Sequence, residues 1–365
     1  PTGVDNSYAA FRCASEWIKA RHGNCRLIIS AGNFKVVTQG IQGFTSAAVI
    51  ELNSSVNSTL SHVDIMGDPG GGTLISFGPG MRYGYYCYGN NGWQPCLSNA
   101  VGAQSFSPQN FIAIDGADFI TIRDIHAYGG NTTVDTGGHS GCTNAAGACK
   151  RSIMSVGLSI RPNGTDKAQY IEVEKCTFSN FCFDGIYVGA MAGDQPRPKD
   201  ITLSDVVCEY NSRQGLSITA AERMRVNRCR FNYTAGGGVL KNDPACGIEF
   251  EPNGTWTGPP IEDVEFTDCE VLANLGPAMT ILPSGGYLSE NITFTRCRFG
   301  DYDNIGISSH NNNVEANAKK LKFKDCDFEG LVEAGYPTQI PADAMLFERC
   351  RFSDAALNQN HREDD

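Results

Sequence analysis

The chain has 365 residues, with 29 Lys and Arg against 40 Asp and Glu and a formal net charge of −11. That balance argues against a nucleic-acid partner, which calls for a basic footprint, and 41% hydrophobic with 19% charged residues argues against disorder. No apolar run approaches the ~18 residues of a membrane helix, so no membrane partner is expected.

At the start, Pro1-Thr2-Gly3-Val4-Asp5 lacks the basic and apolar regions of a signal peptide. Asp5-Asn6-Ser7 can cap a helix running to about Arg21, with Ala10, Phe11, Ala14, Trp17 and Ile18 on one apolar face. Next, Tyr83-Gly-Tyr-Tyr-Cys-Tyr88 and Trp93 place aromatics in a segment that a Cys87–Cys96 bridge would hold. Cys13 with Cys25, and Cys142 with Cys149, are two further candidate local disulfides. The remaining cysteines recur in apolar segments and read as small core residues. With fifteen in total, at least one thiol stays unpaired in a monomer. The loop cysteines, together with seven Asn-x-Ser/Thr sequons at Asn53, Asn57, Asn131, Asn163, Asn232, Asn253 and Asn291, point to an exported, extracellular protein.

From Phe119 onward one pattern returns: a β-like run, a charged residue, Cys, one residue and usually Phe. Ile171-Glu-Val-Glu-Lys-Cys176-Thr-Phe178 and Ile292-Thr-Phe-Thr-Arg-Cys297-Arg-Phe299 are typical, and further copies centre on Cys229, Cys269, Cys326 and Cys350. Ile201 to Tyr210 reads as a variant with Cys208 in the thiol position, and Phe119–Ile125 as an earlier copy with Ile there. Between these runs lie Gly-led alternating segments, Gly157-Leu-Ser-Ile160, Gly185-Ile-Tyr-Val188, Gly215-Leu-Ser-Ile218, Gly247-Ile-Glu-Phe250 and Gly306-Ile-Ser-Ser309, with Ala278-Met-Thr-Ile281 standing in once. Period-2 alternation marks each as a half-buried strand. Short strands repeating every 20 to 40 residues or so, with no helical periodicity between them, predict an all-β, single-stranded right-handed parallel β-helix with an N-terminal capping helix. It is expected as one domain over 1–365, with the cap and first strand in 1–40 and regular coils in 110–355.

Residues 1–11, Leu27-Ile-Ile-Ser-Ala-Gly-Asn-Phe-Lys-Val36 and Val63-Asp-Ile-Met-Gly67 resemble the N-terminal cap and first coils of the pectate-lyase-like superfamily. The resemblance implies the solenoid and a polysaccharide bias, since that superfamily includes lyases, glycoside hydrolases, fructan-cleaving transferases, uronan epimerases and tailspike depolymerases. It does not select a reaction.

Aligning the Gly-led strands gives two outward columns. The first reads Ser159, Tyr187, Ser217, Glu249, Thr280 and Ser308; the second reads Arg161, Gly189, Thr219, Glu251, Leu282 and His310. One coil therefore carries both Glu249 and Glu251, at i and i+2 on one face and roughly 6.5 Å apart at Cα. Two carboxyls that close push one pKa up, which yields an acid beside a base. Their separation lies between the ranges for retaining and inverting glycosidases, and inversion is the expected outcome. The segment Gly236–Pro244 just before this strand is an insertion placed to wall a groove. Asp184 is the reserve carboxylate. Tyr187, Arg213, Gln214, Arg161, His310 and Trp93 are the candidate substrate contacts.

The leading expectation is a glycoside hydrolase acting on a poly- or oligosaccharide without a cofactor, as a monomer or homotrimer. A second reading is a polysaccharide lyase in which Asp184, Glu249 and Glu251 hold Ca²⁺ and Arg213, Arg161 or Tyr187 removes the α-proton. A fructan-type intramolecular glycosyl transferase and a non-catalytic glycan-binding spike or adhesin are the remaining alternatives. No His/Cys cluster has zinc-ligand spacing.

Overall fold

The computed structural model describes residues 6–37, 39, 48–54, 59–138, 153–190, 196–237, 240–252, 258–281, 289–309, 318–332 and 345–353. Ten strands stack in parallel, one per coil, in the order Gly23–Ile28, Ser61–Met66, Asp118–Arg123, Gln169–Glu174, Lys199–Ser204, Ala221–Asn227, Ile261–Thr267, Ser289–Thr295, Ala318–Lys324 and Met345–Glu348. The other two strand positions of each coil belong to a seventeen-stranded sheet. One series includes Thr177–Ser179, Val207–Glu209 and Arg230–Asn232; the other runs through Leu158–Arg161, Asp184–Val188, Gln214–Ile218, Cys246–Phe250 and Met279–Ile281. The pairings along these series are parallel, with register shifts only where the strand Arg298–Ser309 meets its neighbours Glu270–Asn274 and Asp327–Val332, and this stacking is the signature of a parallel β-helix.

The turn between the first and second strand of each coil follows from one residue. Asp124, Lys175, Asp205, Arg228, Asp268, Arg296, Asp325 and Arg349 all take left-handed backbone conformations, with φ of 50° to 57°. Acid and base alternate along this column. Arg228 grips Asp205 at 2.8 and 2.7 Å, Arg296 grips Asp268 at 2.7 and 2.8 Å, and Arg349 grips Asp325 at 2.7 and 2.8 Å. The pairs are exposed and each is worth little in stability, but a coil slipped by one position would set like charges together.

The residue after each of these turns points inward and builds the thiol column: Cys176, Cys229, Cys269, Cys297 and Cys326 are buried. Their Sγ–H groups donate to backbone carbonyls, Cys229 to Asn227 O at 3.3 Å for example. Burial pushes the Cys176 thiol up to about 12, and the whole column is shut away from solvent. Cys208 departs from the sequence expectation. It pairs in register with Phe231, and Val206 takes the thiol position, since Asp205 is the left-handed residue of that coil. Stacked phenylalanines complete the core, with Phe266–Phe294 at 4.5 Å, Phe294–Phe323 at 5.1 Å and Phe299–Phe328 at 5.1 Å.

The helix Tyr8–Ala20 covers the first coils. Its inward face is Phe11, Ser15 and Ile18 rather than the expected set: Trp17 is 48% exposed and Ala10 is exposed as well. Ser15 is tolerated inside because its hydroxyl donates to Phe11 O at 3.0 Å and accepts from Glu51 N at 3.1 Å. At the N-terminus the Ser7 side chain makes no capping bond, and Asn6 Oδ1 accepts from Tyr8 N at 3.1 Å instead. Cys87 and Cys96 form a disulfide, with Cα atoms 5.8 Å apart. Cys13 and Cys25 do not pair; both are free thiols, on the helix and on the first strand respectively. Cys142 and Cys149 lie outside the described residues.

Candidate active site

In the strands Asp184–Val188, Gln214–Ile218 and Cys246–Phe250, the residues Ile186, Val188, Leu216, Ile218, Ile248 and Phe250 turn into the core. Their alternates, Tyr187, Ser217 and Glu249, stand in one outward column that continues to Ser159 and Thr280. That register matches the sequence expectation. The half-buried strand does not: Ser159, Tyr187, Ser217, Glu249 and Thr280 are all buried, and the three strands are buried along both faces. Glycine makes the tight stacking feasible, since a Cβ on Gly215 would lie 2.8 Å from Gly247 O and one on Gly185 only 2.6 Å from Asn211 Nδ2.

Part of the cover comes from the aromatic hairpin and the insertion that the sequence singled out. Tyr83, on the strand Arg82–Gly89, donates its hydroxyl to Ile153 O at 3.0 Å. Asn242, from the insertion, donates Nδ2 to Cys182 O at 2.9 Å and to the Tyr83 hydroxyl at 3.2 Å. The two segments thus meet over the outer face. Met154, Val156, Phe183 and Tyr187 form a small apolar cluster of their own.

Within this cover the charged groups converge. Arg213 donates Nε to Asp184 Oδ1 at 2.8 Å and Nη2 to Asp184 Oδ2 at 2.7 Å, lies 3.8 Å above the Phe183 ring centroid, and approaches Glu251 Oε2 at 3.5 Å. Asp184 is 0% exposed and Glu249 2%, whereas the Glu251 side chain keeps 31% of its surface. Glu249 therefore sits beneath and Glu251 at the rim.

Electrostatics separate the roles of these groups. Burial pushes the Glu249 carboxyl well above the usual carboxylate range; Arg213 opposes this, while Glu251, through its charge and a shared hydrogen bond, pushes further up. The second oxygen of Glu249, Oε2, is buried without a hydrogen-bond partner. Burial also raises Asp184, and Arg213 pulls it back. For Arg213 burial acts against the charged form, but Asp184 and the two glutamates outweigh it, so the guanidinium keeps its proton. Glu249 and Glu251, two residues apart with the buried carboxyl pushed toward its protonated form and the other at the rim, make a candidate proton-holding dyad.

The other predicted contacts divide. Gln214, one coil beyond Asp184 in register, is fully buried with both amide atoms unpartnered. Tyr187 is buried with its hydroxyl 2.9 Å from Thr219 Oγ1, and burial raises its pKa. Arg161 is taken up by Asp115, at 2.9 and 3.1 Å. Trp93 lies in the side hairpin, edge-on to Phe106 at 5.0 Å and Tyr88 at 5.2 Å. His310 falls outside the described residues. Phe183 was missed, because nothing in Phe181-Cys-Phe-Asp184 distinguishes a ring that carries a guanidinium from one that fills the core. Among the described residues no three His, Cys, Asp or Glu side chains are arranged to hold a metal ion, and no helix is long and apolar enough to cross a membrane.

Comparison with known proteins places the fold. No curated protein sequence matches significantly. Among solved structures, the chain is similar to the A-module of the Azotobacter vinelandii mannuronan C-5 epimerase AlgE4, with 11% identity, 98% of this chain and 94% of that one covered, and a TM-score of 0.46. It is similar to the Streptococcus pneumoniae surface protein and adhesin PfbA at 10% identity, 98% and 96% coverage and a TM-score of 0.46. It is also similar to the tailspike gp49 of the Acinetobacter baumannii bacteriophage Fri1, a capsular polysaccharide depolymerase, at 10% identity, 97% and 54% coverage and a TM-score of 0.42. A family model described as the right handed beta helix region matches residues 110–337, more than half of the chain. With its parallel coils in register and this match over them, the chain belongs to the right-handed β-helix family.

Proposed function

We propose that the protein is a glycan-cleaving enzyme, a glycoside hydrolase, whose Glu249–Glu251 dyad supplies and recovers the proton of the reaction. The observation that carries this reading is a buried carboxyl, Glu249, pushed toward its protonated form two residues from a second carboxyl, Glu251, which stays at the rim beside Arg213. A lone surface glutamate is ionised at neutral pH and has no proton to give; the buried member of this pair retains one. In the proposed step the bond from the anomeric carbon to the leaving oxygen breaks as that oxygen takes the dyad's proton. Water adds to the anomeric carbon and returns a proton to the dyad, which ends as it began. Arg213, fixed by Asp184, stands beside Glu251 as a positioning residue and limits the negative charge that gathers there.

An elimination reaction finds less support in the same groups. Arg213 is an unsuitable base because its own pKa is raised. Both Asp184 oxygens are bonded to that guanidinium, which leaves this carboxylate less open to a Ca²⁺ ion than the lyase reading calls for. The Cys87–Cys96 disulfide supports an oxidising, extracellular setting for the hydrolase.

The test is glycan turnover by wild type, Glu249→Gln and Glu251→Gln. A loss of two orders of magnitude or more in both variants, with melting preserved, is expected; near-normal turnover in both would refute the dyad.

A further inference from the structure

On the other sheet, away from the dyad, a groove of about 930 Å³ follows the solenoid axis across the strands from Gly23–Ile28 to Ala221–Asn227. Along one edge His62, Phe119 and Tyr170 stack face to face in consecutive coils, with ring centroids 4.6 Å apart at both steps and interplanar angles of 12° and 17°. Phe119 and Tyr170 are each 45% exposed. The phenylalanine stacks of the core are covered, whereas this one faces solvent.

The backbone makes these three residues more telling. His62, Phe119 and Tyr170 are left-handed, with φ of 58°, 55° and 56°. Every described coil has a left-handed residue at this position; elsewhere in the column Asn24, Asp200, Asp263 and Asn291 supply it, and Arg223 and Lys320, whose long side chains end in a charge, do so as well. Asn and Asp adopt that conformation readily, while bulky side chains do so at a steric cost. A phenylalanine placed there adds to that cost an exposed apolar rim, which folding alone does not require.

The chemistry of the lining selects the occupant. Arg26, Arg223 and Arg225 balance Asp64, Glu172 and Asp200, and two of these pairs are already closed, Arg26 with Asp64 at 3.0 Å and Arg223 with Asp200 at 2.7 Å. No excess charge is left to draw an anion or a cation. Facing the ring rims, the parallel column carries Thr121, Glu172 and Thr202 in register, which can exchange hydrogen bonds with hydroxyl groups. A ledge of ring edges opposite a row of hydroxyl and carboxylate groups, at zero net charge, matches a neutral oligosaccharide, which presents C–H patches and hydroxyls together. We propose that this groove is a second glycan-binding site, separate from the dyad, which holds a neutral oligosaccharide along the solenoid axis.

The experiment uses the full chain on an array of neutral gluco-, manno-, xylo-, galacto- and fructo-hexasaccharides, with hexauronates as controls, followed by titration of any hit. The variant is Phe119→Asn with Tyr170→Asn, which restores a residue type that the column already uses; Tyr170→Asn alone is the milder companion. Binding of at least one neutral hexasaccharide is expected, weakened tenfold or more in the double variant, less in the single one, and unchanged by Glu249→Gln. The proposal is overturned if no neutral hexasaccharide binds, if hexauronates bind in preference, or if the double variant binds as wild type does. A wild-type dimer that the double variant dissolves would assign the groove to a second copy of the chain and overturn it as well. None of these results depends on turnover, so failure here leaves the dyad untouched, and the reverse also holds.

Discussion

Arg213 closes on Asp184 through two charge-assisted hydrogen bonds, 2.8 and 2.7 Å, and the carboxylate beneath it is wholly buried. Such a pair is strongly constrained: removing one partner strands a charge in a low-dielectric site, while removing both does not. Arg213→Met is expected to destabilise the fold by about 3–5 kcal/mol, and the double variant Arg213→Met with Asp184→Asn to recover much of that loss. Urea denaturation of the two variants and wild type measures the difference. Equal losses in both variants would mean that the pair is not the source.

Glu249 makes stability depend on pH in a definite direction. Folding raises its pKa, with burial the largest cause, so the folded chain binds that proton more tightly than the unfolded one. The contribution is complete below the ordinary glutamate range, about 4.3, and is lost as pH rises through the raised value. The melting temperature of wild type should therefore fall, relative to Glu249→Gln, as pH is taken upward from 5 to 9. Parallel melting curves for the two proteins across that range would show that Glu249 is not held neutral.

Turnover should follow the same proton. If the dyad must carry one proton to protonate the leaving oxygen, activity declines on the alkaline side as Glu249 ionises, and this limb should shift when Arg213 is replaced by Lys. A pH–rate profile for both proteins tests this, and an alkaline limb identical in the two would argue against a link between Arg213 and the dyad.

The cysteines give a chemical check on the fold. Native alkylation should label Cys13, which is exposed, well before the buried Cys176, Cys208, Cys229, Cys269, Cys297 and Cys326, which should react only after unfolding. Peptide mapping should recover Cys87 joined to Cys96, and Cys13 and Cys25 as free thiols. A recovered Cys13–Cys25 peptide would contradict the placement of the helix and the first strand.

Much of the solenoid was legible because its two determinants are local. The Gly-led alternation and the charged residue before each Cys recur in sequence, and parallel stacking converts each recurrence into a column, so Glu249 could be aligned with Ser217 and Thr280 directly. The reading failed where a choice depended on the left-handed turn, as at Cys208, since Val206 and Cys208 are equally acceptable core residues and only Asp205 sets the register. It also failed on burial. Period-2 alternation reports which side chains leave the core, but not that an insertion and a distant hairpin, through Asn242 and Tyr83, come to lie over them. The helix face was misassigned for a related reason: Ser15 is admitted to the interior by two hydrogen bonds that no hydropathy pattern records.

The most direct test of the central claim is a screen of the purified protein on neutral, uronic, sulfated and fructan polysaccharides, with products read by mass spectrometry for wild type and Glu249→Gln, with and without chelator. Hydrated fragments from wild type, unaffected by chelator and absent with Glu249→Gln, are the predicted result. A water-deficient product, fragments that vanish with chelator, or equal product from Glu249→Gln would contradict a hydrolytic dyad at Glu249 and Glu251.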